Sequence, residues 1–255
     1  MGVAGAAVAT VASQLIGGVI CLLYVSKHYE VLKMTREDFK INVPCIKRLL
    51  SMGLPMALQT SITAIGSVIL QASVNSLGST VVASITAGSR LYMFFACAYD
   101  AMGVTMSTYS GQNIGARKID RIGQGVKACN IVGIIYSVLA LLIIVFLGKW
   151  MMLLLFVDAG ETAIINSAYW YLVCSGLFMI PLTFVNVLRL TIQGMGYSRL
   201  ALFAGVFEMI ARGGVGLFLV PLFGFNAACF SGPIAWILAD SFLIPMYYQV
   251  IHRAS

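Results

Sequence analysis

Residues 131–147 read IVGIIYSVLALLIIVFL, an unbroken run without a charged residue or a proline. A helix needs about 20 predominantly apolar residues, and at the least about 17, to cross roughly 30 Å of hydrocarbon at about 1.5 Å per residue. A helix lying on a soluble core would show polar positions every third or fourth residue, and a half-buried strand would alternate. Neither pattern is present, so this run reads as a membrane-spanning helix.

Working outward, similar runs recur along all 255 residues, of which 60% are hydrophobic and 10% charged, with a mean hydropathy of +0.94. A soluble domain has roughly a quarter of its residues charged, so a water-soluble enzyme is excluded first. The alternation that marks a membrane β-barrel is absent from every run, which leaves helices to satisfy the backbone in lipid. Spans are predicted at about 3–24, 49–74, 81–106, 131–147, 163–192, 200–221 and 227–250. The expected fold class is all-α, a polytopic membrane helical bundle of about seven transmembrane helices. Arg90, Asp100, Pro181 and Arg189 interrupt the third and fifth spans.

The polar stretches fix an orientation. Residues 26–48 carry Lys27, Lys33, Arg36, Lys40, Lys47 and Arg48 against Glu30, Glu37 and Asp38, and residues 111–127 carry Arg117, Lys118, Arg121 and Lys127. With Arg199 in the 193–199 turn and Arg253 in the tail, twelve basic residues fall on one side; the other holds Lys149, with Asp158 and Glu161 nearby. Short loops rich in Lys and Arg stay cytoplasmic, so the 26–48 linker, the 111–127 loop and the C-terminus are expected to face inward. This accounts for the net charge of +7 without a nucleic-acid partner, since no basic face interleaved with stacking aromatics exists. Met1 leads directly into an apolar run with no basic flank, unlike a signal peptide, and the same rule places it outside. A bare helix starting outside suggests the downstream part of something longer. Three segments are expected: 1–25, a transmembrane helix; 26–48, a cytoplasmic basic linker; and 49–255, a six-helix lobe.

Cys21, Cys45, Cys97, Cys129, Cys174 and Cys229 are scattered singly and read as small apolar fillers. His28 and His252 lie near the ends of runs, so no histidine is left inside the membrane for a metal site or a hydrolase triad, and no enzymatic activity is expected. The charges within spans are Arg90, Arg189 and Arg212 against Asp100, Glu208 and Asp240. Each costs several kcal/mol in hydrocarbon unless paired or facing water, so a balanced set points to pairing inside the bundle. Glu208 and Arg212 sit four apart in the favourable order and can pair on one face, as a structural clamp or as a coupling pair. Asp100 and Asp240 lack a partner in their own helix. They are candidates for a titrating or cation-binding carboxylate, or are satisfied across helices by Arg90 or Arg189. In the second span Gln59, Thr63 and Ser67 recur at four-residue spacing, and Thr60, Thr63, Ser67 and Gln71 form a similar stripe; such a polar face either bonds across helices or lines an aqueous pathway. Asn186 and Arg189 in the fifth span complete the pathway candidates. Pro55, Pro181, Pro233 and Pro245, with Gly53 and Gly176, mark points where helices can bend.

Several motifs fall in a telling order: Gly53-Leu54-Pro55 after the basic linker, Asn75-Ser76-Leu77-Gly78-Ser79, Ala87 to Leu91 with Arg90, Gly111-Gln112-Asn113-Ile114-Gly115-Ala116-Arg117, and Gln193-Gly194-Met195-Gly196-Tyr197-Ser198-Arg199. With Glu208 and Arg212, and Pro233-Ile234-Ala235-Trp236 before Asp240, the set resembles the multidrug and toxic compound extrusion (MATE) family across essentially the whole chain. Residues 2–14 are similar to that family's sixth helix. The resemblance implies the sixth helix, the linker and the C-terminal lobe of a twelve-helix, two-lobe transporter. It further implies antiport of drugs and organic cations against Na+ or H+ through a cleft shared with an N-terminal lobe, in the inner (plasma) membrane and without a cofactor. Expected partners are the bilayer, small organic cations or drugs and the absent N-terminal lobe, without which the chain is expected to be transport-inactive. Two departures stand out: residues 51–77 contain no acid, where some members carry one, and the coupling aspartate of the family's first helix belongs to the other lobe. A lipid-linked oligosaccharide flippase of the same superfamily is the alternative. A seven-helix receptor is weaker, because residues 227–250 hold no lysine for a retinal.

Overall fold

The run at 131–147 lies in the middle of a 37-residue helix, and the rest of the chain is built around it. A computed structural model describes residues 2–29, 40–155 and 162–254. In chain order the helices are α1 (Gly2–His28), α2 (Val43–Asn75), α3 (Ser79–Gly115), α4 (Ile119–Leu155), α5 (Thr162–Leu177), α6 (Met179–Gly194), α7 (Ser198–Gly214), α8 (Val220–Phe223) and α9 (Phe225–Ala254), with a π-helical segment Val215–Leu219 between α7 and α8. No strand occurs among the described residues. The linker residues Glu30, Lys33, Arg36, Glu37 and Asp38, and the acids Asp158 and Glu161, lie outside the described residues.

Among the described residues six helical segments are long and apolar enough to cross a membrane, and α5 with α6, bent by 55° at a single break, meets the same measure when taken as one span. The predicted fifth span, 163–192, is this broken pair. Pro181 has no N–H to give to the carbonyl four residues back, and α6 starts just ahead of it at Met179. Pro55 lies inside α2 and Pro233 and Pro245 inside α9, each of which continues through them as one helix. The predicted limits of α3 and α4 are too short. The polar stretch 111–127 is helical except at residues 116–118, because a 37-residue helix runs to about 55 Å and carries its polar ends beyond the hydrocarbon. Likewise α2 begins at Val43 rather than near residue 49.

The chain divides into two compact units, Met1–Arg48 and Leu49–Ser255. The first holds α1, whose span has a mean hydropathy of 2.0 and ends on Lys27 and His28. In the second unit α3 is central, packed against α4, α5 and α6, while α9 packs against α6 and α7. Leu91, Phe95, Tyr99 and Met106 line the inner side of α3, facing Ile144, Leu172, Val185, Leu188 and Leu243 from the neighbouring helices.

Between helices in lipid, association rests on close packing and polar bonds rather than on expelling water. Both occur here. A Cβ on Gly194 of α6 would lie 2.8 Å from the Cα of Ser107, so only glycine lets α6 and α3 approach this closely. A buried hydroxyl chain crosses the core: Tyr99 Oη lies 2.9 Å from Ser137 Oγ, which lies 3.3 Å from Thr183 Oγ1 and donates to the Gly133 carbonyl at 2.7 Å.

Candidate functional site: an ion-paired cavity

A cavity of about 580 Å³ opens between α2, α3, α6, α7 and α9. α2 contributes Gln59, Thr63 and Ser67, which fall on one side because four residues advance a helix by little more than one turn. Gly66, on the same helix, lets α7 approach: a Cβ there would sit 2.8 Å from the Cα of Met209. Asp100, Tyr92 and Met93 come from α3, Asn186, Arg189 and Gln193 from α6, Glu208 and Arg212 from α7, and Trp236 from α9.

At the centre is Glu208, whose side chain is 5% exposed and lies between two arginines. Arg189 Nη1 donates to Glu208 Oε1 at 2.9 Å, and Arg189 Nη2 donates to Asn186 Oδ1 at 3.0 Å. Arg212 Nη2 stands 3.8 Å from Glu208 Oε2, while Arg212 Nη1 donates to Ser67 Oγ at 2.7 Å. Beside this network Gln193 Nε2 donates to Gln59 Oε1 at 2.6 Å. The network ties α2, α6 and α7 together. The expected pairing of Glu208 with Arg212 is present as the longer arm; the shorter bond crosses from α7 to α6.

Arg189 is therefore taken up by Glu208, and among the described residues no ion pair reaches Asp100 or Asp240. Asp100 is exposed to the cavity. Asp240 is 8% exposed and does not line it, and its Oδ1 is buried without a hydrogen-bond partner. Gln71 is also away from the lining; its amide donates to Asn75 Oδ1 at 2.9 Å. Arg90 is exposed and lies off the lining as well. Eight of the ten candidate residues thus meet around one cavity, and Gln71 and Asp240 lie outside it.

Sequence reasoning missed the aromatic wall. Tyr92 and Trp236 stack with centroids 5.9 Å apart and planes at 16°, beside the two carboxylates of the lining. Trp236 sits one helical turn before Asp240 and was legible as part of a motif; Tyr92 carried no signal separating it from a lipid-facing tyrosine. The six cysteines are free, and among the described residues no group of three His, Cys, Asp or Glu side chains could hold a metal ion.

The helices and cavity define a class: a multi-pass helical membrane protein with a polar, ion-paired cavity inside the bundle. The MatE family model matches residues 55–229. The chain belongs to the MatE family. It is 25% identical over 168 residues to the probable multidrug resistance protein YoeA of Bacillus subtilis (strain 168), covering 64% of this chain and 35% of that protein. It is 31% identical over 126 residues to the probable multidrug resistance protein YpnP of the same organism, covering 48% of this chain and 27% of that one. The crystal structure of a MATE mutant superposes with a TM-score of 0.87 at 18% identity, over 100% of this chain and 57% of that one. The matched chain thus spans about a quarter to a third of the length of these curated relatives and just over half of the solved MATE chain.

Proposed function

We propose that this chain is the C-terminal lobe, with one preceding helix and linker, of a secondary active transporter that expels drugs and organic cations in exchange for Na+ or H+. The observation that carries this reading is the pairing, in one cavity, of a carboxylate without an ion-pair partner with a stacked aromatic wall. Asp100 attracts a cation, and the faces of Tyr92 and Trp236 stabilise its positive charge while accepting its apolar body. Glu208 is committed to Arg189 and Arg212, so it holds helices in place rather than meeting the cargo. Asp240, behind the lining, is a second carboxylate through which a coupling ion can act. Alternating access needs two bundles around a shared midplane site, and this cavity supplies one wall of it. The charge asymmetry of its loops supports an orientation with the C-terminus in the cytoplasm, in the inner membrane that the transporter reading implies. The flippase reading is less favoured, because the two arginines in the cavity share one glutamate and leave little positive charge for a pyrophosphate.

The test is ethidium efflux by the chain joined to a matching N-terminal lobe, beside ethidium binding by the chain alone. Asp100→Asn lowers ethidium affinity about tenfold, the size expected for one partly solvated charge pair. Asp240→Asn leaves binding intact and changes the pH or sodium dependence of efflux. Unchanged binding and unchanged ion dependence in both variants would rule the assignment out.

A further inference from the structure

The α3–α4 turn is the most strongly basic feature of the second unit, and the cavity does not use it. Arg117, Lys118 and Arg121 line a depression of about 370 Å³ together with Ile119 and Asp120, leaving a net positive charge. The turn is held rigidly. Arg117 N–H donates to the Ile114 carbonyl at 3.1 Å and Lys118 N–H to the Asn113 carbonyl at 2.9 Å. Tyr109 Oη donates to the Arg121 carbonyl at 3.1 Å, and Ile122, fully buried, anchors the start of α4 against Met195 and Val250. Arg117 sits at φ 56°, a left-handed conformation uncommon for a side chain of its size, which the turn imposes.

Below the turn, α4 changes character along one face. Arg121, Ala128, Val132, Ile135, Leu139 and Phe146 succeed one another at three- to seven-residue spacing, and all are exposed. This side of α4 contributes nothing to the cavity lining. The seven residues from Arg121 to Ala128 rise about 10 Å, enough to pass through a headgroup zone of roughly 5–8 Å, and the apolar stripe starts beneath them. Cations above a bare apolar face match one molecule: a negatively charged phosphate joined to acyl chains.

We propose that the α3–α4 turn is a binding site for an anionic phospholipid, its phosphate among Arg117, Lys118 and Arg121 and its acyl chain along the outer face of α4. Asp120 opposes it, which sets the charge available at two rather than three. The inference does not depend on what the cavity carries. It also goes beyond the general inward bias of basic loops, because it requires a preference among lipids at one turn.

The experiment is native mass spectrometry of the detergent-purified chain, offered phosphatidylglycerol and phosphatidylcholine with identical acyl chains. Phosphatidylglycerol is retained in preference. Each of Arg117→Gly, Lys118→Gln and Arg121→Gln lowers that preference roughly fivefold, the weight of one basic side chain at an anionic surface. Glycine adopts the left-handed backbone of position 117 more readily than arginine, so Arg117→Gly removes the cation while keeping the turn. Lys149→Gln, at the far end of α4, leaves the preference unchanged, and raising ionic strength weakens it in the unsubstituted chain. Equal retention of the two lipids, or a preference untouched by the three substitutions or flat with salt, would each overturn the proposal.

Discussion

Glu208→Gln removes the one negative charge between Arg189 and Arg212 while keeping nearly the same shape. Breaking a fully buried ion pair costs about 3–5 kcal/mol. Here the glutamate side chain is 5% exposed but Arg189 and Arg212 keep 20% and 22%, so both guanidiniums reach cavity water and the penalty is reduced. Gln also still accepts one bond from Arg189. About 2 kcal/mol remains. For a chain of this length that is roughly 4–8 °C in the unfolding midpoint, read by loss of helical circular dichroism in detergent. Replacing all three residues by Met leaves no stranded charge and recovers most of the loss, since apolar substitutes for a buried ionic triad are often tolerated. A Glu208→Gln midpoint within a degree of the parent, or a triple variant less stable than the single one, refutes the view that Glu208 clamps α6 to α7.

Gly194→Val forces a side chain into the backbone of Ser107 and is expected to destabilise by about 2–3 kcal/mol, whereas Gly53→Val, where an added Cβ meets nothing within 4 Å, serves as the control in the same melts. Tyr99→Phe breaks the bond to Ser137, which keeps its contacts with Thr183 and the Gly133 carbonyl, so the cost is expected near 0.5–1 kcal/mol by thermal unfolding.

How far the sequence carried depends on which force decides each feature. The spans were legible because length and apolarity alone dictate them, as at 131–147. Helix ends were not, since the polar turns at either end of α3 and α4 continue the same backbone bonds outside the lipid, where hydropathy carries no signal. In the cavity, Gln59, Thr63 and Ser67 were found from spacing, and spacing also explains the failure at Gln71. Each four-residue step drifts about 40° around a helix, so three steps carry Gln71 about 120° off the face that Gln59 occupies. The Glu208–Arg212 pair was visible as a local i,i+4 pattern, whereas the shorter bond to Arg189 joins residues on different helices and exists only once α6 and α7 pack. Asp100 and Asp240 looked alike in sequence; packing set one facing the cavity and the other behind it.

The π-helical segment Val215–Leu219 has a consequence for chain length. Val215 and Val220 both pack into the cluster with Val74, Ala227 and Ala228. In an ordinary α-helix, residues five apart diverge by about 140°, but a turn closed by i→i+5 bonds brings them back toward one side. Residues four apart in an α-helix are about 40° apart. A relative with one residue fewer between Gly216 and Leu219 would therefore wind this turn at normal pitch and still aim both valines inward, which makes the segment a place where the span can gain or shed a residue without losing its phase.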